Sequence, residues 1–236
     1  FQLDPYFDGI FISGEMGIDK PHKEAFEYVC NYFNVKLEDA CMIGDNYLWE
    51  VKAPKEYGMM SIWVNRVDEI RDDNVADYTI DHISSLIHIF KDLKYMKIAY
   101  EEAKKALLYD EVPIGALIVR NDEIIAKAHN LKETEKLVYK HAEMIVIEEA
   151  EKKLGLWHLD DCILYTTLEP CLMCSGAIIQ SRIKKVVFGA YEKRWACLTS
   201  VIEKENINHY PEVIGGVYKD QCSSLVSSYF KNKRKG

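Results

Sequence analysis

The sequence predicts an α/β fold made of two successive units. In the first part of the chain, apolar runs of strand length alternate with helical patterns, which favours a parallel sheet covered by helices. In the remainder the predicted order is α-β-β-α-β-α-β and a final helix, which indicates a sheet between two layers of helices. Charge changes at the same place: residues 1–93 hold 18 acidic side chains against 8 basic ones, whereas residues 94–236 hold 20 against 22. We therefore expect two domains, 1–93 and 94–236.

Composition excludes several broad classes of protein. The 236 residues are 48% hydrophobic, which is enough for a buried core, and no run of eighteen apolar residues predicts a membrane span. No secretory leader opens the chain, and its first residue is phenylalanine, which suits a fragment or a processed form. Seven cysteines are an odd number, so a reducing, cytoplasmic setting is expected rather than a disulfide framework.

The first unit carries alternating strand and helix patterns. The predicted strands are residues 7–13, 40–45 and 60–65, and the predicted helices are residues 23–33 and 50–57, the second with Gly58 as its C-cap. Residues 84–90 predict a closing helix, and residues 91–95 a very short junction to the second unit.

Short motifs of the first unit carry a family resemblance. They are Lys20-Pro21, Ile43-Gly44-Asp45 followed by Glu50, Gly58-Met59 before a strand, and the late segment 76–80. Together these motifs resemble the C-terminal half of haloacid dehalogenase-like (HAD) hydrolases, with a Rossmann-like sheet. The resemblance implies that Lys20 steadies a phosphate, and that Asp45 and Glu50 help to hold magnesium.

The nucleophile of that family is not found in the sequence. The family carries it in an N-terminal D-x-D motif, whereas Asp4 and Asp8 are separated by Pro-Tyr-Phe. Phosphoryl transfer through a covalent intermediate requires this nucleophile. We therefore interpret residues 1–93 as a truncated HAD-like half with a vestigial site, without phosphatase activity and without bound Mg²⁺.

The second unit has its own series of elements. The predicted helices are residues 96–108, 142–153, from Cys171 to about 181, and 221–231, and the predicted strands are residues 116–119, 124–126, 162–167 and 185–188. Residues 120–123 between the first two strands predict a hairpin turn, and Gly155 ends the second helix.

Two short segments predict a zinc site. His141-Ala142-Glu143 and Pro170-Cys171-Leu172-Met173-Cys174 supply one imidazole and two thiolates, three of the four ligands of a tetrahedral zinc, and leave one position for water. Cys171 and Cys174 share one helix face, and two helix N-termini are expected to converge on the ion. Alone, C-x-x-C also suits a redox pair or two buried thiols. The combined H-x-E…P-C-x-x-C pattern is typical of zinc-dependent nucleobase deaminases, in which the glutamate carries protons.

From Met96 onward the chain resembles bacterial tRNA-specific adenosine deaminases over nearly its whole length. The matching segments are Val112–Ala116, His129-Asn130, His141–Glu143, Leu168–Cys174, Val187–Ala190 and Tyr229–Lys231. The resemblance implies a cytidine deaminase-like α/β/α sandwich that works as a homodimer. It implies that His141, Cys171 and Cys174 bind one Zn²⁺ per chain, that Glu143 is the proton shuttle, and that Asn130 contacts the adenosine.

One loop departs from that family. In Tyr191–Ser200, Ala196 and Thr199 stand where glycines are usual. If these positions require a positive φ, the loop must be reshaped, which affects RNA contacts rather than zinc chemistry.

The function expected from the sequence is hydrolytic deamination of adenosine to inosine at the wobble position of a tRNA anticodon loop, with tRNA-Arg(ACG) as the expected tRNA. Lys231, Lys233, Arg234 and Lys235 follow an aromatic pair, which suits single-stranded RNA, and no DNA or membrane partner is expected. Two alternatives remain open: a zinc deaminase of a free guanine- or cytosine-type base or nucleotide, and a non-catalytic RNA-binding subunit.

Overall fold

A computed structural model describes residues 4–204 and 206–234 of the chain. It divides into two compact units, Phe1–His88 and Ile89–Gly236. Among the described residues, no helix is both long enough and apolar enough to cross a bilayer.

The first unit contains a parallel three-stranded sheet in the order β1-β2-β3. Its elements are α1 (Ser13–Met16), α2 (Lys23–Tyr32), β1 (Cys41–Gly44), a π-helical segment (Tyr47–Lys52), α3 (Ala53–Glu56), β2 (Met60–Val64) and β3 (Tyr78–Ile80). The strands predicted over residues 40–45 and 60–65 and the helix predicted over residues 23–33 are confirmed.

The predicted strand over residues 7–13 is wrong. Ile12 is the N-cap of α1, and the Phe11 ring makes edge contacts with three aromatic rings of residues 28, 32 and 33. The apolar run is therefore used to pack on α2 and not to pair with a strand. The predicted helix over 50–57 begins earlier, because Asn46 Oδ1 accepts a hydrogen bond from Trp49 N (3.1 Å), and its C-cap is Tyr57 rather than Gly58.

The second unit contains a five-stranded sheet in the order β5-β4-β6-β7-β8. Its elements are α4 (Leu86–Ala106), β4 (Gly115–Arg120), β5 (Glu123–His129), α5 (Lys132–Glu135), α6 (Ala142–Leu154), β6 (Cys162–Leu168), α7 (Leu172–Gln180), β7 (Lys185–Ala190), α8 (Leu198–Lys204), β8 (Glu212–Gly215) and α9 (Lys219–Lys233). β4 is antiparallel to both neighbours, whereas β6, β7 and β8 are parallel.

Helices cover both faces of this sheet. Alternate residues of the strands join two separate apolar cores, one against α6, α7 and α8 and the other against α4 and α9. For example, Ile118 and Leu164 lie in the first core, whereas Leu117 and Tyr165 lie in the second. This α/β/α sandwich confirms the predicted fold class and places α6 and α7 next to each other on one face.

The junction predicted over residues 91–95 is wrong, because this segment lies inside the continuous helix α4. The helix contains no glycine or proline, and it buries Tyr95, Met96, Ala99 and Ala103 on one side. The boundary between the two units falls at His88/Ile89. The domain boundary at 93/94 stays a prediction.

Close packing explains one glycine of the Val112–Ala116 segment. A Cβ atom added at Gly115 would lie 2.3 Å from Ala99 O and 2.4 Å from Ala103 N. Only glycine allows α4 to approach the start of β4 this closely. The hairpin turn is the two residues Asn121-Asp122, both with positive φ (50° and 64°), as a type I′ turn requires.

Candidate metal centre

The three predicted zinc ligands lie together with the spacing of a metal site. His141 Nδ1 is 3.6 Å from Cys171 Sγ and 3.6 Å from Cys174 Sγ, and the two sulfurs are 3.7 Å apart. A tetrahedral zinc with ordinary bond lengths requires about 3.6 Å between nitrogen and sulfur and about 3.8 Å between sulfurs. A disulfide would require about 2.05 Å. The donor set therefore fits zinc and not a cystine.

Two helix starts bring these ligands together, as the sequence predicted. His141 is the N-cap of α6 and Cys171 is the N-cap of α7, both in extended backbone conformation. Cys174 lies one turn into α7 and is fully buried. Hydrogen bonding between the two sulfurs lowers the pKa of the Cys171 thiol to about 4, while it raises that of Cys174. A thiolate, the form that binds metals, is thus available at neutral pH.

Glu143 is buried in the first turn of α6 with one carboxylate oxygen free of protein partners. The residue is 3% exposed, and Glu143 Oε2 has no hydrogen-bond partner. Burial raises the pKa of this carboxyl to about 7. A carboxyl group that titrates near neutral pH is able both to accept and to release a proton, as a general acid–base must.

Asn130 lies at the end of β5, beside the metal ligands. Its neighbour Leu131 donates a backbone hydrogen bond to Lys140 O (2.9 Å), which places the segment next to His141. Asn130 Nδ2 donates to Glu111 Oε2 (3.0 Å), and Asn130 Oδ1 is buried without a partner. Glu111 was not predicted from the sequence, although it directly precedes the Val112–Ala116 segment.

The loop that departs from the family pattern is held by a second buried acid, Glu169, which lies in the matching segment Leu168–Cys174 but was given no role there. Glu169 accepts hydrogen bonds from Glu192 N (3.2 Å), from Thr199 N (3.2 Å) and from the Thr199 hydroxyl. Within the described residues, neither Ala196 nor Thr199 is among those with positive φ. The loop is therefore built without glycine at these positions, and Thr199 adds a bond that glycine lacks.

Basic and aromatic side chains lie on one side of this loop. A cleft of about 570 Å³ is lined by residues of the loop and of α9, among them Lys193, Arg194 and Arg234. The Arg194 guanidinium lies over the Trp195 ring at 4.2 Å. Arg194 also pairs with Glu192 (2.6 Å), and Lys233 pairs with Asp110. The predicted cluster also includes Lys235, which lies outside the described residues.

The predicted HAD residues Lys20 and Glu50 pair with each other, and Asp45 joins them through its backbone N–H. Lys20 pairs with Glu50, and the other Glu50 oxygen accepts from the backbone N–H groups of Asp45 and Asn46, both at 3.1 Å. Asp45 is exposed. The grouping of His141, Cys171 and Cys174 is the one within the described chain that could hold a metal ion.

The fold and the His/Cys/Cys site define a zinc-dependent deaminase of the cytidine deaminase-like class. A sequence model described as "Cytidine and deoxycytidylate deaminase zinc-binding region" matches residues 90–190. A second model, for haloacid dehalogenase-like hydrolases, matches residues 1–58.

Curated relatives narrow this class to one family. A tRNA-specific adenosine deaminase of Bacillus subtilis is 51% identical over 148 residues, which are 61% of this chain and 92% of that protein. The Aquifex aeolicus protein of the same name is 44% identical over 144 residues, 59% of this chain and 94% of that protein. The chain belongs to the tRNA-specific adenosine deaminase family.

Solved structures agree with this assignment. A structure described as a tRNA:A34 deaminase that edits A to I matches with a TM-score of 0.54 and 33% identity, over 56% of this chain and 98% of that one. A guanine deaminase from Nitrosomonas europaea matches with a TM-score of 0.52 and 23% identity, over 58% of this chain and 83% of that one. The second match shows a shared fold alone.

Proposed function

We propose that this chain deaminates adenosine to inosine at the wobble position of a tRNA anticodon loop, with an arginine tRNA reading ACG as the substrate. One observation carries the proposal: a buried acid with a free oxygen lies beside a three-ligand zinc site, in a chain that spans 92% of a tRNA-specific adenosine deaminase. A purely structural zinc site has no use for such an acid.

In the proposed reaction, water adds to C6 of adenine, the C6–N bond breaks, and ammonia leaves. His141, Cys171 and Cys174 would hold the zinc, which when bound supplies Lewis-acid activation of water. Glu143 takes a proton from the attacking water and passes it to the ring nitrogen N1. It then takes the proton of the new C6 hydroxyl and gives it to the leaving amino group, so that a C6 carbonyl forms as ammonia departs. Its free Oε2 and its raised pKa suit both roles. Asn130 contacts the base.

The cleft between the loop and α9 is the proposed place for the anticodon strand. Lys193 and Arg234 supply positive charge there, whereas the Arg194 charge is paired with Glu192. An aromatic ring of α9, Phe230, lines the same cleft. Cations that neutralise phosphates and rings that stack on splayed bases are the features with which proteins bind single-stranded RNA.

The working form is proposed to be a cytoplasmic homodimer. A large apolar side chain stays exposed beside the site, because Leu172, next to the ligand Cys171, is 62% exposed. Leu108, in the short turn that follows α4, is 80% exposed. A second copy would cover them. All seven cysteines are free, which suits a reducing compartment. Light scattering after size exclusion tests the dimer.

The experiment that tests the function compares four substrates. An anticodon stem-loop with adenosine at the wobble position, free adenosine, cytidine and guanine are incubated with the zinc-loaded chain, and products are measured by mass spectrometry. Inosine is expected in the stem-loop alone, at a rate that falls as salt rises. Turnover of guanine or cytidine without the stem-loop would refute the substrate, and no turnover with any substrate would support a non-catalytic subunit.

A further inference from the structure

Glu111 is a fully buried acid that the proposed reaction does not use. It is 0% exposed, and its two oxygens accept from Asn130 Nδ2 (3.0 Å) and from the backbone N–H of Thr134 (2.6 Å). Both donors are uncharged. Burying a carboxylate with such partners is costly, so the fold gains little stability from this acid compared with an apolar side chain. Its contacts point instead to a role in arranging the residue that it binds.

The carboxylate determines which end of the Asn130 amide faces away from it. A carboxylate only accepts hydrogen bonds, so it binds the amide nitrogen of Asn130 and repels the amide oxygen. Asn130 Oδ1 is therefore the atom turned away, and it is buried without a protein partner. A buried acceptor without a protein partner is available to a hydrogen-bond donor on a ligand.

Backbone hydrogen bonds hold this arrangement in place from both sides. Asn130 N donates to Ile114 O (3.0 Å), and Glu111 N donates to Ala106 O at the end of α4 (3.1 Å). The backbone bond from Leu131 to Lys140 joins the same segment to the start of the zinc-bearing helix α6. The amide orientation is thus set relative to the metal ligands before substrate arrives.

We propose that Glu111 is a positioning residue, which holds the Asn130 amide with its carbonyl oxygen toward the base as an acceptor for an N–H donor. The proposal rests on the proposed deaminase function. Adenine presents its N–H donors at the exocyclic amino group, and its ring nitrogens N1, N3 and N7 are acceptors. An acceptor in the pocket therefore favours an amino-bearing base edge. A flipped amide would present a donor there and would lose this preference.

Exchanging the carboxylate and the amide between positions 111 and 130 tests the proposal. In Glu111→Gln, the new amide oxygen is needed by Thr134 N, so its nitrogen faces Asn130 and turns the Asn130 amide around. In Asn130→Asp, two carboxylates face each other in a buried place. The double variant Glu111→Gln/Asn130→Asp keeps the net charge, the shape and every hydrogen bond, with an oxygen again toward the base.

The single variants are expected to lose activity, and the double variant is expected to recover part of it. Glu111→Gln should raise KM and lower kcat/KM by about 10- to 100-fold, the effect of one misplaced hydrogen bond in a buried site. Asn130→Asp should lower kcat/KM further. The double variant should have a kcat/KM at least about tenfold higher than that of Asn130→Asp, since the effects of hydrogen-bonded partners are coupled. Zinc content should stay at one per chain in all three variants. Rates are measured on whichever base or stem-loop the unaltered chain turns over.

A matched control separates positioning from stability. Asp92 is another buried carboxylate, 6% exposed, which packs with the core on the opposite face of the sheet. Asp92→Asn should lower the Tm while KM stays unchanged. Unaltered KM and kcat/KM in Glu111→Gln would overturn the proposal. A double variant whose kcat/KM does not exceed that of Asn130→Asp, or that does not fold at 25 °C, would overturn it as well. Failure of the unaltered chain on the stem-loop refutes the proposed substrate instead.

Discussion

The zinc site depends on three donor residues at the start of two helices. The H-x-E…P-C-x-x-C pattern predicted His141, Cys171 and Cys174 as zinc ligands, and the structure places their donor atoms 3.6 to 3.7 Å apart. The approach of the two cysteines is local, because i and i+3 on one helix share a face, whereas His141 reaches them from another helix. Glu111 and Glu169 belong to no such ligand motif, and their partners lie 19 or more positions away.

The first prediction concerns the metal. Cys171→Ala should lose its zinc and become less stable, because the imidazole and one thiolate remain without the third protein ligand. Elemental analysis of the purified chain measures the zinc, and one equivalent is expected before the change. Cys222→Ala is the matched control, since Cys222 is a buried cysteine in α9 outside the ligand group. Full zinc retention in Cys171→Ala would refute the ligand assignment.

The second prediction concerns the proton carrier. Glu143→Gln should keep the fold and the zinc but lower kcat by about 10²- to 10⁴-fold, because glutamine fills the same space without carrying a proton. Single-turnover deamination measures the rate and circular dichroism checks the fold. Near-normal turnover by this variant would mean that the shuttle is another group.

At the scale of elements, a buried ion pair joins helix α4 to the sheet. Lys185 of β7 donates to Asp92 Oδ2 (2.8 Å), and the Tyr165 hydroxyl of β6 donates to Asp92 Oδ1 (2.8 Å). Lys185 is 9% exposed and Asp92 is 6% exposed. Such a pair is weak evidence of stability, but breaking it leaves an unpaired charge in the core.

The third prediction follows from this pair. Lys185→Met should lower the free energy of unfolding by about 3–5 kcal/mol, because it strands the Asp92 carboxylate. Adding Asp92→Asn should recover much of that loss, since asparagine is neutral and still accepts from the Tyr165 hydroxyl. Urea unfolding measures both variants. If the single and double variants lose the same free energy of unfolding, Asp92 and Lys185 do not act as a unit.

The fourth prediction concerns the loop after β7. Thr199→Val removes the hydroxyl that binds Glu169 and leaves this buried acid with fewer donors. The expected cost is about 1–3 kcal/mol, with faster proteolysis within residues 191–200. Thr134→Val is a control, because Thr134 is exposed and binds Glu111 through its backbone. Unchanged proteolysis of the loop in Thr199→Val would show that Glu169 does not hold it.

At the scale of the whole molecule, the two units differ in what their residues are arranged to do. The zinc site, the buried Glu143 and the basic cleft all belong to Ile89–Gly236. In the first unit, Lys20 and two backbone N–H groups already occupy the carboxylate of Glu50. We expect no magnesium-dependent hydrolysis of a phosphomonoester by this unit, and hydrolysis abolished by Asp45→Asn would refute that expectation.

The fifth prediction compares two truncations. A fragment of residues 89–236 should keep deaminase activity and stability, whereas a fragment of residues 94–236 should be less stable. The shorter fragment lacks Lys91, which pairs with Asp122 (2.7 Å), and Asp92, which pairs with the buried Lys185. Thermal unfolding measures the difference. Equal Tm values would place the functional boundary at 93/94, where the sequence predicts it.

Local sequence patterns were enough to predict the alternation of strands and helices, a hairpin turn within residues 120–123 and the placement of Cys171 and Cys174 on one helix face. Side-chain periodicity and spacings of a few residues set these features, because local geometry converts them directly into structure. The roles of His141 and Glu143 were predicted from the deaminase motif and stay predictions. Packing in three dimensions decides the remaining features. Phe11 lies against rings of α2 where residues 7–13 were predicted to form a strand, α4 runs through the predicted junction, and Glu111 and Glu169 are buried. Each of these depends on partners distant in sequence, which no local pattern encodes.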